Sequence, residues 1–154
     1  MDDRPRQGVS RGEKTERTSL SSTREYQDRI EILELAARYN HAAVSLDPNG
    51  YASCFTPEGR FYSPTRERDV TGQDALRAML SENAIGNARG IQHLTTDFII
   101  KLEGDRATQT CQFILYGERD GSGNRVLGAG TYSDTLVRTA EGWRYSERIA
   151  EVWE

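Results

Sequence analysis

The side chains able to do chemistry in this chain are few, and they fall at strand spacing. His93 shares a strand face with Ile91, Thr95 and Asp97. Tyr132 alternates in the same way with Gly130 and Asp134, and Arg148 with Ala150 and Val152. An imidazole can move a proton or grip a carbonyl, and a guanidinium is a permanent cation that wants a carboxylate or an anionic oxygen. Tyr39, on a helical stripe nearer the N-terminus, adds a phenol able to donate a hydrogen bond and to stack on a flat substrate. Cys111, Phe113 and Leu115 share the face of a further strand. An apolar wall with a few convergent polar groups is the composition of a small-molecule site.

Each of these residue types also has a purely structural role open to it. His93 is a catalytic group or a core histidine satisfied by tyrosine or backbone. Arg148 contacts a ligand or pairs with Asp97 or Asp134. Asp97 lies four residues from His93, about 13 Å along an extended strand. That is too far for a direct pair, so Arg148 is its better partner. Tyr39 and Tyr132 are substrate contacts or plain core residues. His41 has no metal-spaced neighbour, and two histidines with two scattered cysteines do not suggest a zinc site. The glycine-rich "GSGNR" at 121–125 opens no helix, so it reads as a hairpin turn and not a phosphate cradle.

The bulk properties narrow the class. A chain of 154 residues with 36% hydrophobic and 29% charged residues reads as one globular domain. A formal charge of −4 gives no electrostatic reason to expect nucleic acid. No run of about 18 apolar residues is present to span a membrane. The first residues are charged and lack the apolar stretch of a secretory signal. Cys54 and Cys111 lie in apolar-periodic segments and read as buried, reduced thiols of a cytoplasmic protein.

Residues 1–22 hold almost no large apolar side chain and read as a disordered tail, with the domain at 23–154. A helix is expected from about 24 to 46, stopped by Pro48, then a short helical piece carrying Tyr51 and Phe55. "TPEG" at 56–59 reads as a turn, "RFYSP" as a short strand, and 73–84 as a helix with Leu76, Met79 and Leu80 inward and Gly86 beyond its end. After that the period changes to two. Strands are expected at about 90–102, 106–118, 125–138 and 142–153, joined by glycine-containing hairpins. Three helices followed by an antiparallel meander is an α+β order. The sheet buries one face by curling round the helices, which leaves a concave apolar pocket.

Taken in order, "YNHAAVSLD", "CFTPEG", "VTGQDALRAML", "GIQHLTTDFII" and "GTYSDTLVRTAEGWRYSER" resemble the SnoaL-like proteins of the nuclear-transport-factor-2-like superfamily. The resemblance covers about residues 24–154. It implies a cone-shaped, cystatin-like α+β barrel: three N-terminal helices in a strongly curved, mainly antiparallel sheet with a ligand pocket at the wide end. It also implies a homodimer or homotrimer needing no metal and no organic cofactor.

In the dehydratases of that family a helical Asp pairs with a His on the strand after the third helix. His93 matches the histidine, Arg148 an arginine of several pockets, and Tyr39 a polar position before the Asp. The position of the Asp itself is Val44. Asp47, three residues on, matches an acid that caps the second helix. The resemblance therefore implies a cofactor-independent enzyme that cyclises, isomerises or dehydrates a hydrophobic polyketide- or terpenoid-like molecule. Its catalytic residues are expected to be His93, Tyr39 and Arg148. Val44, Phe55, Phe61, Phe113, Leu115, Tyr132 and Ala150 are expected to line the substrate. With Val44 for the acid, weight moves to chemistry driven by shape and hydrogen bonding. A His-dependent dehydratase and a non-catalytic binding or assembly module are the alternatives.

Overall fold

The computed structural model describes residues 11–82 and 89–153, with side chains for 22–81 and 90–153. Helix α1 spans Arg11–Ser45. Its buried face carries Asp28, Ile32, Leu35, Ala36, Tyr39 and Ala43, at the spacing of one helical stripe. The helix starts well before the expected residue 24. Residues 11–23 hold no proline and carry two Glu, two Arg and one Lys among Ser and Thr. Local propensity can continue a helix there without any apolar periodicity to announce it. Residues 1–10 of the expected tail lie outside the described residues.

Helix α2 (Pro48–Ser53) begins as expected of a proline at the first helical position. Asp47 caps it, its carboxylate accepting from the backbone N–H groups of Asn49 at 3.1 Å and Gly50 at 3.0 Å. Phe55 is not helical; it opens strand β1 (Phe55–Ser63). The expected turn at 56–59 is an irregular stretch of that strand, between the partners Phe55↔Tyr145 and Arg60↔Glu147. Gly59 permits it, since a Cβ there would come within 2.7 Å of the Phe55 Cβ. Strand β2 (Arg68–Thr71), which lies in the stretch between the expected short strand and the helix expected at 73–84, pairs antiparallel with β1. Helix α3 (Gln73–Glu82) follows, with Leu76 fully buried. Gly86, expected beyond its end, is outside the described residues.

Strands β3 (Arg89–Glu103), β4 (Arg106–Glu118), β5 (Asn124–Thr139) and β6 (Gly142–Val152) form the antiparallel meander read from the sequence, their ends within one residue of the expected ones. The full sheet runs β2-β1-β6-β5-β4-β3, with the β1–β6 pair parallel. It is a curved, unclosed, six-stranded sheet with the three helices packed on it. Helix α1 lies against β3 and β6. It is fixed there by Asp28, which accepts from Trp143 Nε1 at 3.3 Å and pairs with Arg138. Both cysteines are buried and free. Burial pushes the Cys54 thiol up to about 11 and Cys111 to about 12, so both are unreactive thiols at neutral pH.

One register change decides which side chains face the helices. Thr96 pairs with Gln112 and Ile99 with Thr110, so β3 holds one residue more than β4 across that interval. Asp97 absorbs it with a left-handed φ of 57° and points to solvent. The strict alternation expected through Asp97 therefore breaks. Phe98, Ile100 and Leu102 take over the inward face.

Candidate functional site

Helix α1 and the edge strand β3 leave a groove of about 390 Å³ between them. The helix contributes Leu33, Ala37, Asn40, His41 and Val44, a set one to four residues apart that makes a single face. The strand contributes Gln92, His93, Leu94, Thr95 and Phe98. Asn40 ties the two walls together, its Nδ2 donating to Thr95 Oγ1 at 2.9 Å. Val44 and His93 thus line the same groove from opposite sides. Among the described residues no carboxylate lines it with them.

Behind His93 stands a box of aromatic rings. Its Nε2 lies 3.2 Å from the Tyr132 hydroxyl. The rings of Tyr39 and Phe113 meet the imidazole edge-on at 5.9 and 6.1 Å. Tyr132 stacks on Phe113 at 4.4 Å. Gly130 makes that stack possible, since a Cβ there would fall 2.8 Å from the Phe113 ring and against the Glu151 carbonyl oxygen. The Tyr39 and Tyr51 hydroxyls are hydrogen-bonded at 2.9 Å.

The box holds a cation. The Arg148 guanidinium carbon sits 4.2, 4.0 and 4.1 Å from the ring centroids of Tyr39, Tyr132 and Tyr145. Its Nε and Nη2 donate to the two carboxylate oxygens of Asp134, each at 2.8 Å, and Nη2 also reaches the Tyr145 hydroxyl at 2.9 Å. Gln109 Nε2 donates to Asp134 as well, at 2.8 Å. Both charged side chains are fully enclosed. Burial opposes the arginine charge, but the Asp134 carboxylate outweighs it and holds the guanidinium protonated.

The same surroundings decide the state of His93. Burial, and then the positive charge of Arg148, lower its pKa to about 3. It is a neutral imidazole at physiological pH, poor as a general base and available as a hydrogen-bonding group. Burial raises the Tyr39, Tyr132 and Tyr145 phenols above their ordinary range, so all three stay protonated. Among the described residues no cluster of three or more His, Cys, Asp or Glu is placed to hold a metal ion. No described helix is long and apolar enough to cross a membrane.

With this geometry in view, the chain matches the SnoaL-like domain family over residues 24–149. It belongs to that family. An uncharacterised protein of Mycobacterium tuberculosis is 29% identical over 138 residues, 85% of this chain and 89% of the relative. In structure, a second Mycobacterium tuberculosis protein, of unknown function, superposes with a TM-score of 0.79 at 28% identity, covering 86% of this chain and 76% of its own. An NTF2-like protein with a cystatin-like fold from Novosphingobium aromaticivorans gives a TM-score of 0.79 at 24% identity, covering 88% of each chain. A Catenulispora acidiphila protein solved in complex with S-DNPA gives 0.69 at 26% identity, over 80% of this chain and 92% of that one.

The residues singled out in this SnoaL-like sequence meet in one region but at different depths. Val44 and His93 line the groove. Tyr39, Phe55, Phe113, Tyr132, Arg148 and Ala150 are buried in the core behind it. Phe61 and Leu115 are partly buried against that core. Arg148 pairs with Asp134, and the alternative partner Asp97 is removed by the β3 bulge. Sequence reading did not select Asn40, Gln92, Thr95 or Phe98 for the site. Asn40 was legible, since it falls one helical turn before Val44. Phe98 was not, because its orientation follows from the bulge.

Proposed function

We propose that the α1–β3 groove is the active site of a cofactor-independent enzyme acting on a hydrophobic polyketide- or terpenoid-like intermediate by cyclisation, isomerisation or dehydration. The observation that carries the reading is the pair Val44 and His93 facing one groove, with hydrocarbon where the family's dehydratases hold an acid. His93 is neutral and, among the described residues, no carboxylate lines the groove beside it to stabilise an imidazolium. That arrangement favours folding a flexible substrate into a reactive geometry and polarising its carbonyl over abstracting a proton. Tyr39 and Arg148 act from behind: Arg148 holds the tyrosine box together, and the box holds His93. Phe98, Leu33 and Ala37 supply apolar surface within the groove, while Phe55, Phe113, Tyr132 and Ala150 belong to the core behind it and Phe61 and Leu115 pack against that core. The related Catenulispora acidiphila protein in complex with S-DNPA supports ligand binding in this fold.

The test is incubation of purified protein with flexible poly-ketones and with polycyclic hydroxy-ketones, followed by mass spectrometry. A product of unchanged mass reports cyclisation or isomerisation; loss of one water reports dehydration, the runner-up chemistry. Binding without turnover of any member would sink the enzyme reading and leave a ligand-binding module.

The protein is further proposed to work in the cytoplasm as a homodimer or homotrimer. Leu94, which borders the groove at the β3 edge, and its cross-strand partner Ile114 are exposed beside the exposed pair Tyr116 and Val126. A contiguous apolar patch of that kind suits a second copy of the chain. Sedimentation analysis of the wild type and Ile114→Lys checks it: the variant is expected to run as monomer, and a wild-type monomer refutes it.

A further inference from the structure

A neutral imidazole has one nitrogen that donates and one that accepts, and the partner of one nitrogen decides the role of the other. In His93 the nitrogen facing the core is Nε2, 3.2 Å from the Tyr132 hydroxyl. Nδ1 makes no hydrogen bond among the described residues. Nor is it one of the fully enclosed polar atoms left without a partner there, which include Asn40 Oδ1, Gln109 Oε1 and Arg148 Nη1. It is therefore the nitrogen a ligand in the groove can reach.

The cation beneath Tyr132 favours one direction of its hydrogen bond to His93. Arg148 lies 4.0 Å over the ring of Tyr132 and 4.2 Å over that of Tyr39. Tyr39 is the other hydrogen-bonding neighbour of Tyr132 and itself hydrogen-bonds Arg148, so if Tyr132 accepted from Nε2 its own proton would turn toward Tyr39 and the guanidinium. Donation to Nε2 points the O–H dipole the other way, with oxygen toward the positive charge and hydrogen away from it. The phenol is protonated and so has the hydrogen to give.

We propose that Tyr132 is a positioning residue that fixes the tautomer of His93: its hydroxyl donates to Nε2 and the ring proton resides on Nδ1. The groove then meets an N–H donor, and the ligand atom placed against it is an acceptor such as a carbonyl or enolate oxygen. Asn40, nine-tenths buried between the same two walls, holds Thr95 through Nδ2 and so keeps the β3 edge that carries His93 against α1. This assignment rests on the groove being the binding site, but its test does not.

The test is a long-range proton–nitrogen correlation spectrum of the full chain carrying isotope-labelled histidine, at neutral pH without ligand. His93 is assigned by the signals that vanish in His93→Gln, and His41 is the internal reference. The expected wild-type pattern is a protonated Nδ1 and a bare Nε2. In Tyr132→Phe, which keeps the ring and removes the donor, that pattern is expected to be lost in favour of a mixture or of the Nε2–H form. A protonated Nε2 in the wild type, or an unchanged pattern in a folded Tyr132→Phe, overturns the proposal. Should Tyr132→Phe fail to fold, the wild-type spectrum alone decides. A protein that turns over none of the ketones leaves this result standing, and the wrong tautomer leaves the groove's ligand to be found.

Discussion

Arg148 and Asp134 form a two-point ion pair with both N···O distances at 2.8 Å and no solvent access to either side chain. The pair lies one cross-strand step apart on β5 and β6. It is the electrostatic centre of the molecule. Asp134→Asn keeps the shape but leaves the guanidinium without a counter-charge. The expected cost is about 3–5 kcal/mol of stability, read from urea unfolding followed by circular dichroism. A loss below about 0.5 kcal/mol would show that water reaches Arg148.

Acid should unfold the protein through His93. Its folded pKa, about 3, lies below the ordinary histidine value of 6.5. Above 6.5 neither state binds the proton and stability is complete. As pH falls from 6.5 toward 3, the unfolded chain takes up a proton that the native state refuses. The destabilisation grows by about 1.4 kcal/mol per pH unit in that window. Thermal melts between neutral pH and pH 4 should show this slope, and His93→Gln should flatten it. Equal slopes in both proteins would show that the histidine is protonated in the folded state.

Val44 separates the two chemistries. If the groove works by shape, Val44→Asp sets a charged or desolvated carboxylate against apolar substrate. That costs about 1–3 kcal/mol of transition-state binding, at least several-fold in turnover. Val44→Ala removes two methyls from a half-buried site and should cost much less. A faster Val44→Asp enzyme, with a pH profile set by an Asp–His pair, would favour the dehydratase instead.

Gly130→Ala should be severely destabilising. Its Cβ would fall 2.8 Å from the Phe113 ring and against a backbone oxygen of β6, and the stacked Phe113–Tyr132 pair leaves the ring little room to yield. A loss of about 1–3 kcal/mol or more is expected, read from the melting midpoint. An unchanged midpoint would mean that the strands part easily at this point.

Deletion of residues 1–20 is expected to leave the melting temperature nearly unchanged. It shortens α1, yet the first buried side chain among the described residues is Asp28. A fall of many degrees would show that the deleted segment docks on the domain or on a second copy.

The sequence by itself determined the meander. Four runs of alternating residues separated by glycine turns can satisfy their backbone groups only by pairing with each other, so β3 to β6 were legible nearly to the residue. The cap of Asp47 was equally local, a side chain reaching its own backbone two and three residues on. The start of α1 was not legible from periodicity, because the first turns carry no apolar stripe to read. Tertiary structure decided the rest of the site. One extra residue in β3 turned Asp97 outward and Phe98 inward, and alternation cannot register an insertion that the partner strand defines. It also made Asp134 the partner of Arg148, a choice fixed by the β5–β6 register and by the complete exclusion of water around the pair.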